Sequence, residues 1–220
     1  MNPEFIKVCG MKDPEQIKAL GVLGRAEGPA RLGMFGMIFY DRSPRFLRGS
    51  IEKDLAPSLK RTGVFVNAGV DFIRSKVEHY GLDFIQLHGD EDVAFAREVK
   101  DLAPVIKAFR IDADFDFSAL KAWEKEVDYF IFDAAGKSYG GNGVKYDWSL
   151  LEAYSGETPF LLSGGLAPGD LEVIKSFHHP RCVGLDLNSG FEFAPGDKNI
   201  EAIAQFQRAL KKQSQHEIQR

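Results

Sequence analysis

Two titratable side chains stand out by where they fall. Cys9 follows the apolar run FIKV and precedes Gly10, while Asp133 closes the apolar run YFIF. A thiol and a carboxyl at the ends of two such runs form a candidate base and acid for proton transfer. An unshifted thiol has a pKa of about 8.5 and is only a few per cent thiolate at pH 7, so Cys9 as a base calls for positive surroundings. Asp133 meets the opposite difficulty. At a pKa of about 3.9, roughly one carboxyl in a thousand is protonated at neutral pH, so burial must raise it. Each residue also has a plain alternative: a lone Cys on an apolar strand is commonly a small buried hydrophobe, and a lone Asp can simply cap the loop that follows it.

Two glycine pairs suggest a second chemistry. LLSGGL (Leu161 to Leu166) and LDLNSGF (Leu185 to Phe191) place Gly164, Gly165 and Gly190 where bare backbone lets several N–H groups approach one anion. Tight turns requiring positive φ would give the same letters. Lys7 and Lys107 lie inside apolar runs. Either could be a Schiff-base nucleophile, or a stem packed in the fold with its ammonium at the rim or ion-paired inside. Arg42, Arg45 and Arg48 form a small basic loop, either solvated or shaped to read a ligand carboxylate. The stretch AAGKSYGGNGVKY after Asp133 carries four glycines in 13 residues and is expected to be a lid over substrate.

The elements that must position these groups repeat as strand then helix. Apolar runs start at Phe5, Met34, Thr62, Phe84, Val105, Tyr129, Pro159 and Cys182, about 20 to 30 residues apart. Helical periodicity fills Pro14–Leu23 behind an Asp13 cap, then Asp71–Tyr80, Asp92–Lys100, Phe117–Lys125, Trp148–Tyr154, Leu171–Phe177 and Ile200 to about Lys211. The interval between the second and third strands is least regular, since Pro57 interrupts it. Near-continuous apolar strands read as parallel and covered, and eight such units predict an α/β fold, a compact (β/α)8 TIM barrel. A doubly wound open sheet is the rival, but Cys9-Gly10-Met11-Lys12-Asp13 lacks the three glycines of a dinucleotide turn. In a barrel, Cys9, Arg45, Asn67, Gln86, His88, Arg110, Asp133, Gly164, Gly165, Asp186, Asn188, Ser189 and Gly190 all fall at one rim. Cys182 opens its strand at the other rim and reads as structural. The pair His178-His179 reads as a surface loop at that same bottom face.

Composition bounds the rest. The 220 residues, 44% hydrophobic and 27% charged, predict one domain over 1–220 with a polar tail from about 212. With 28 Lys and Arg against 32 Asp and Glu, the chain is too acidic for a nonspecific nucleic-acid or membrane binder. No apolar stretch reaches the length of a membrane helix, so the expected location is the cytoplasm. Two cysteines without C-x-x-C spacing, and no His cluster, imply neither structural metal nor disulfide.

Taken in series, IKVCGM (Ile6 to Met11), FYDRSPR (Phe39 to Arg45), GVFVN (Gly63 to Asn67), IQLHGDE (Ile85 to Glu91), VIKAF (Val105 to Phe109), FDAAGKSYGGNGVKYDW (Phe132 to Trp148), LLSGGL and LDLNSGFE (Leu185 to Glu192) resemble the phosphoribosylanthranilate isomerases of tryptophan biosynthesis. The resemblance implies a (β/α)8 barrel without metal or organic cofactor. Its reaction would be the Amadori rearrangement of N-(5′-phosphoribosyl)anthranilate, a phosphorylated small molecule. It further implies Cys9 as general base, Asp133 as general acid and Arg45 on the anthranilate carboxylate. Gln86, His88 and Asp186 would contact substrate, and Gly164, Gly165, Asn188, Ser189 and Gly190 would hold phosphate. The assembly expected is a monomer or homodimer. Three features depart from the usual pattern: a longer stretch GVLGRAEGPARLGMFG between the first two strands, Asn188 where Ser is common, and FDAAGKS after the acid. A Schiff-base lyase or aldolase using Lys107, and a barrel that only binds a phosphorylated ligand, are the competing readings.

Overall fold

The structure, a computed structural model, describes residues 3–134 and 146–217. Eight strands close into a parallel barrel in chain order: β1 (Phe5–Val8), β2 (Arg31–Ile38), β3 (Lys60–Phe65), β4 (Phe84–Leu87), β5 (Val105–Ile111), β6 (Tyr129–Ala134), β7 (Phe160–Leu162) and β8 (Cys182–Leu187). Closure is made by β1 against β8, with Lys7 opposite Asp186. All eight predicted strands are present. The open-sheet alternative is thereby excluded.

Strand alternation sorts the side chains into two populations. Phe5, Met34, Ile106, Ala108, Ile131 and Leu161 form a separate cluster that fills the lower barrel. Their neighbours, among them Ile6, Phe35, Phe65, Phe130, Phe132 and Leu185, face outward into the larger core beneath the helices. Above the lower apolar layer, the interior turns polar at Lys7, Thr62, Gln86 and Asp186, all buried.

The helices are α1 (Pro14–Leu23), α2 (Val70–Tyr80), α3 (Val93–Val99), α4 (Leu171–Ser176) and α5 (Ile200–Glu217). Asp13 caps α1 by accepting from the Glu15 and Gln16 amides, with Pro14 at the first helical position. Two expected α-helices are instead six-residue 3₁₀ segments, Phe117–Ala122 and Trp148–Ala153. Asp116 and Asp147 cap them through the Ser118 and Ser149 amides, but six residues are too few for α-helical propagation to outweigh nucleation. Residues 41–58 hold no helix; turns run from β2 to β3.

Two further boundaries differ from expectation. β2 begins at Arg31, three residues early, because the Ala30 amide bonded to the Pro3 carbonyl at 2.6 Å draws the chain into register with β1. Residues 31–36, six of the sixteen in GVLGRAEGPARLGMFG, are therefore strand. α5 runs to Glu217, past the expected end near Lys211, since neither Gly nor Pro interrupts it. A short hairpin, β9 (Glu192–Ala194) with β10 (Asp197–Lys198), turns on Gly196 at φ +81° after β8. Among the described residues, no helix is long and apolar enough to cross a membrane, and no group of three or more His, Cys, Asp and Glu could hold a metal ion.

Candidate active site

The rim at the C-terminal strand ends collects most of the singled-out residues. Cys9 continues β1 with its amide on the Leu187 carbonyl at 2.8 Å, and its side chain packs with Ile38 and Val64 at the top of the barrel. Directly below, the Lys7 ammonium is wholly buried and paired with Asp186 at 2.8 Å. Gly36 leaves the space for both: a Cβ there would stand 3.1 Å from Cys9 Sγ and 3.4 Å from Lys7 Nζ. Burial pushes the Cys9 thiol up, and the Lys7 ammonium opposes it. Burial pulls Lys7 toward its neutral form, yet the anionic neighbours, Asp186 first, outweigh burial and raise its pKa.

Asp133 stands on β6, separated from β1 by β7 and β8 around the barrel wall. Its Oδ1 accepts from the Ala134 amide at 2.9 Å and from Ser163 at 3.5 Å. Its Oδ2 lies 3.5 Å from His88 Nε2. Behind the imidazole, Gln86 Nε2 is 2.9 Å from His88 Nδ1. A primary amide nitrogen only donates, so Nδ1 accepts and a neutral ring carries its proton on Nε2, facing Asp133. Gln86 and His88 thus act as one unit toward the carboxyl.

Arg45 is the buried member of its basic loop, while Arg42 and Arg48 are exposed. Its Nε and Nη2 grip Glu192 at 3.0 and 2.8 Å, a forked ion pair. Glu192 also takes Lys198, whose ammonium reaches Asn188 Oδ1 at 2.9 Å. Burial would raise the Glu192 carboxyl, but Arg45 and Lys198 together hold it below the usual carboxylate range. Lys198 is lowered in turn, because its own burial and the competing Arg45 outweigh the carboxylate they share. Gly10, at φ +74°, seals this corner, since a Cβ would come within 2.8 Å of Arg45 and 3.0 Å of Asn188.

The two glycine loops abut. Gly164 and Gly165 have φ of +89° and +72°, and a Cβ on Gly190 would sit 2.1 Å from the Leu166 carbonyl. Ser189 opens a 3₁₀ turn, Ser189–Phe191, beside them, and the Asn188 side chain is occupied by Lys198. The turn carrying Gly190 therefore packs on the backbone just after Gly164 and Gly165, at Leu166 and Ala167.

Other candidates fall elsewhere. Lys107 faces away from the barrel interior, bonded to Glu91 and the Gly89 carbonyl at 2.8 Å and lying over the Phe109 and Trp123 rings. That position corrects the Schiff-base reading, because strand alternation turns Lys107 away from the mouth. Asn67 accepts from the Asp90 amide, and Arg110 pairs with Asp90 at 2.8 Å, so both brace the loop after β4. Cys182 is buried at the opposite end with its thiol pushed up to about 12 by burial. His179 bonds the Tyr154 carbonyl at 2.9 Å and stacks on that ring. The expected lid, 134–146, lies outside the described residues except for its two ends, Ala134 and Tyr146. Ser163, Glu192 and Lys198 had escaped the sequence reading; the last two sit on a hairpin outside the strand-helix repeat, where no periodicity points to them.

A family profile described as N-(5'phosphoribosyl)anthranilate (PRA) isomerase matches residues 6–209. The N-(5'-phosphoribosyl)anthranilate isomerase of Parabacteroides distasonis is 42% identical over 210 residues, covering 92% of this chain and 91% of its own. Among solved structures, the phosphoribosyl anthranilate isomerase of Thermus thermophilus aligns with a TM-score of 0.78 at 26% identity, covering 94% of this chain and 98% of that one. A phosphoribosyl anthranilate isomerase in complex with reduced 1-(o-carboxyphenylamino)-1-deoxyribulose 5-phosphate aligns at 0.73 with 27% identity, covering 96% and 99%.

Proposed function

The chain belongs to the N-(5'-phosphoribosyl)anthranilate isomerase family, and from that premise we infer how its own residues divide the work. The reaction is an Amadori rearrangement, converting N-(5′-phosphoribosyl)anthranilate to 1-(2-carboxyphenylamino)-1-deoxyribulose 5-phosphate. In our reading Asp133 protonates the furanose ring oxygen. The bond from that oxygen to the anomeric carbon breaks, and the anilino nitrogen supplies the electron pair that forms the imine. Cys9 then removes the proton at C2′, giving an enolamine, whose hydroxyl proton is lost as C1′ is protonated to yield the ketone.

The observation that carries this assignment is the placement of Cys9 and Asp133 on separate walls of one barrel mouth. His88, oriented by Gln86, faces the acid, and the buried Lys7–Asp186 pair lies under the base. The abutting loops that carry Gly164, Gly165, Ser189 and Gly190 support a phosphate site, with Asn188 contributing through its main chain. For the anthranilate carboxylate, the Nη1 side of Arg45 points away from Glu192 and supplies the second edge of the guanidinium fork. The ligand is then a phosphorylated small molecule, with the chain acting in the cytoplasm as a monomer or homodimer.

The test is substrate generated enzymatically in place, with loss of its anthranilate-type fluorescence followed on purified protein. Cys9→Ala and Asp133→Asn should each keep the circular dichroism of the parent and lose turnover by a factor of order 10² to 10⁴. Near-parental rates in either variant remove that residue from its role.

A further inference from the structure

The lower barrel is filled by apolar side chains, as packing alone would favour, yet the layer above it encloses a full ion pair. A buried Lys–Asp pair is weak as a stabilising device, because desolvation of both charges consumes most of their attraction. Two apolar residues in register on β1 and β8 would close the barrel at least as well. The charge therefore calls for a use. Cys9 sits two residues along the same strand, on the same inward face, and Gly36 across from it removes the side chain that would otherwise separate sulfur from ammonium.

We propose that Lys7 is a positioning residue whose ammonium, kept protonated and fixed in the barrel by Asp186, is the counter-ion of the Cys9 thiolate. This rests on the reading of Cys9 as the general base. Among the described residues, the charged groups facing the sulfur are few. Lys7 lies below it on β1, Asp186 beside Lys7 on β8, and Lys198 reaches in from the hairpin with its charge shared by Glu192, which Arg45 also holds. From β2 and β3 it meets Gly36, Ile38 and Val64, which carry no charge. Asp186 alone would repel a thiolate, but its carboxylate is taken up by Lys7, whose proton it secures. Burial pushes the Cys9 thiol above its ordinary value, and the adjacent ammonium is the strongest of the influences that pull toward the thiolate.

The experiment reads the thiol directly. Iodoacetamide alkylation of Cys9 is followed against pH by mass spectrometry of its peptide, in the parent, in Lys7→Gln, and in the neutral pair Lys7→Gln/Asp186→Asn. The double variant guards against loss of folding, because it keeps a hydrogen bond between the positions without stranding a carboxylate. In Lys7→Gln the midpoint of alkylation should rise by about one pH unit or more, the scale of a removed adjacent charge, and in the double variant it should rise by less, because the repelling Asp186 carboxylate goes with the ammonium. The acid limb of the kcat/KM profile should move with it. An alkylation midpoint within about 0.3 units of the parent in both variants overturns the counter-ion role, as would a fall in rate with the pH limb unmoved. Failure of the underlying reading is separable: it appears as retained turnover in Cys9→Ala, whatever the alkylation profile does.

Discussion

Arg45 shows how a functional side chain can be bound on one edge before any ligand arrives. Its grip on Glu192 fixes the guanidinium plane, so a carboxylate approaching the other edge meets a preset fork and orders little side chain on binding. Lysine keeps the charge and loses both edges. Arg45→Lys should raise KM and lower kcat/KM by about ten- to 150-fold, the scale of one charge-assisted hydrogen bond, while Arg42→Lys and Arg48→Lys stay within about twofold in the same assay. Equal behaviour of the three variants would leave the carboxylate without its partner. Cys9 and Asp133 can be singled out in the sequence because each sits at a strand end of a repeating pattern, and Arg45 because it lies in the loop after the second strand. Glu192 and Lys198 were not, since a long-range contact between the second loop and a hairpin after the eighth strand leaves no periodic mark. The inward or outward sense of Lys7 and Lys107 needed strand register, which apolar runs without alternation do not disclose.

At the scale of elements, all eight strands could be read from their Val, Ile and Phe runs, whereas two of the covering helices proved to be 3₁₀ segments. Strands buried on both faces advertise themselves by composition, but a six-residue stretch such as FSALKA or WSLLEA has the same letters in either helical form. The α1 cap was legible too, and its contribution can be measured. Asp13→Ala strands the Glu15 and Gln16 amides and should lower urea-unfolding stability by about 1 kcal/mol. The abutting turns after β7 and β8 make a second expectation. Inorganic phosphate should raise the parent's Tm by mass action on the folded state. Gly165→Val, forced into a left-handed φ of +72°, should lose that protection while keeping most of the fold. Equal phosphate stabilisation of variant and parent would argue against the backbone cradle.

For the whole molecule, the network joining β8, the hairpin and the second loop should set its response to acid. Glu192 has a folded pKa below its ordinary value of 4.5, so its contribution is complete above that value and is lost as pH falls through the folded one. Between pH 7 and pH 3 the parent should therefore lose more unfolding free energy than Glu192→Gln, as chemical denaturation at each pH would register. The barrel is also not wrapped evenly. Seven of its intervals are covered by a helix or 3₁₀ segment, but residues 41–58 cross the outside of β2 and β3 as turns, pinned by Leu47, Ile51, Ala56 and Leu59 and by Arg61 bonded to the Glu52 and Tyr80 carbonyls. Turns share few backbone hydrogen bonds, so this side should open with less free energy than the rest. Amide deuterium uptake should begin there, between Asp41 and Ser58, well before β5 or β6 exchanges. That seam also carries Arg45, so its ion pair with Glu192 is what holds the ligand-reading arm in place while the turns around it open.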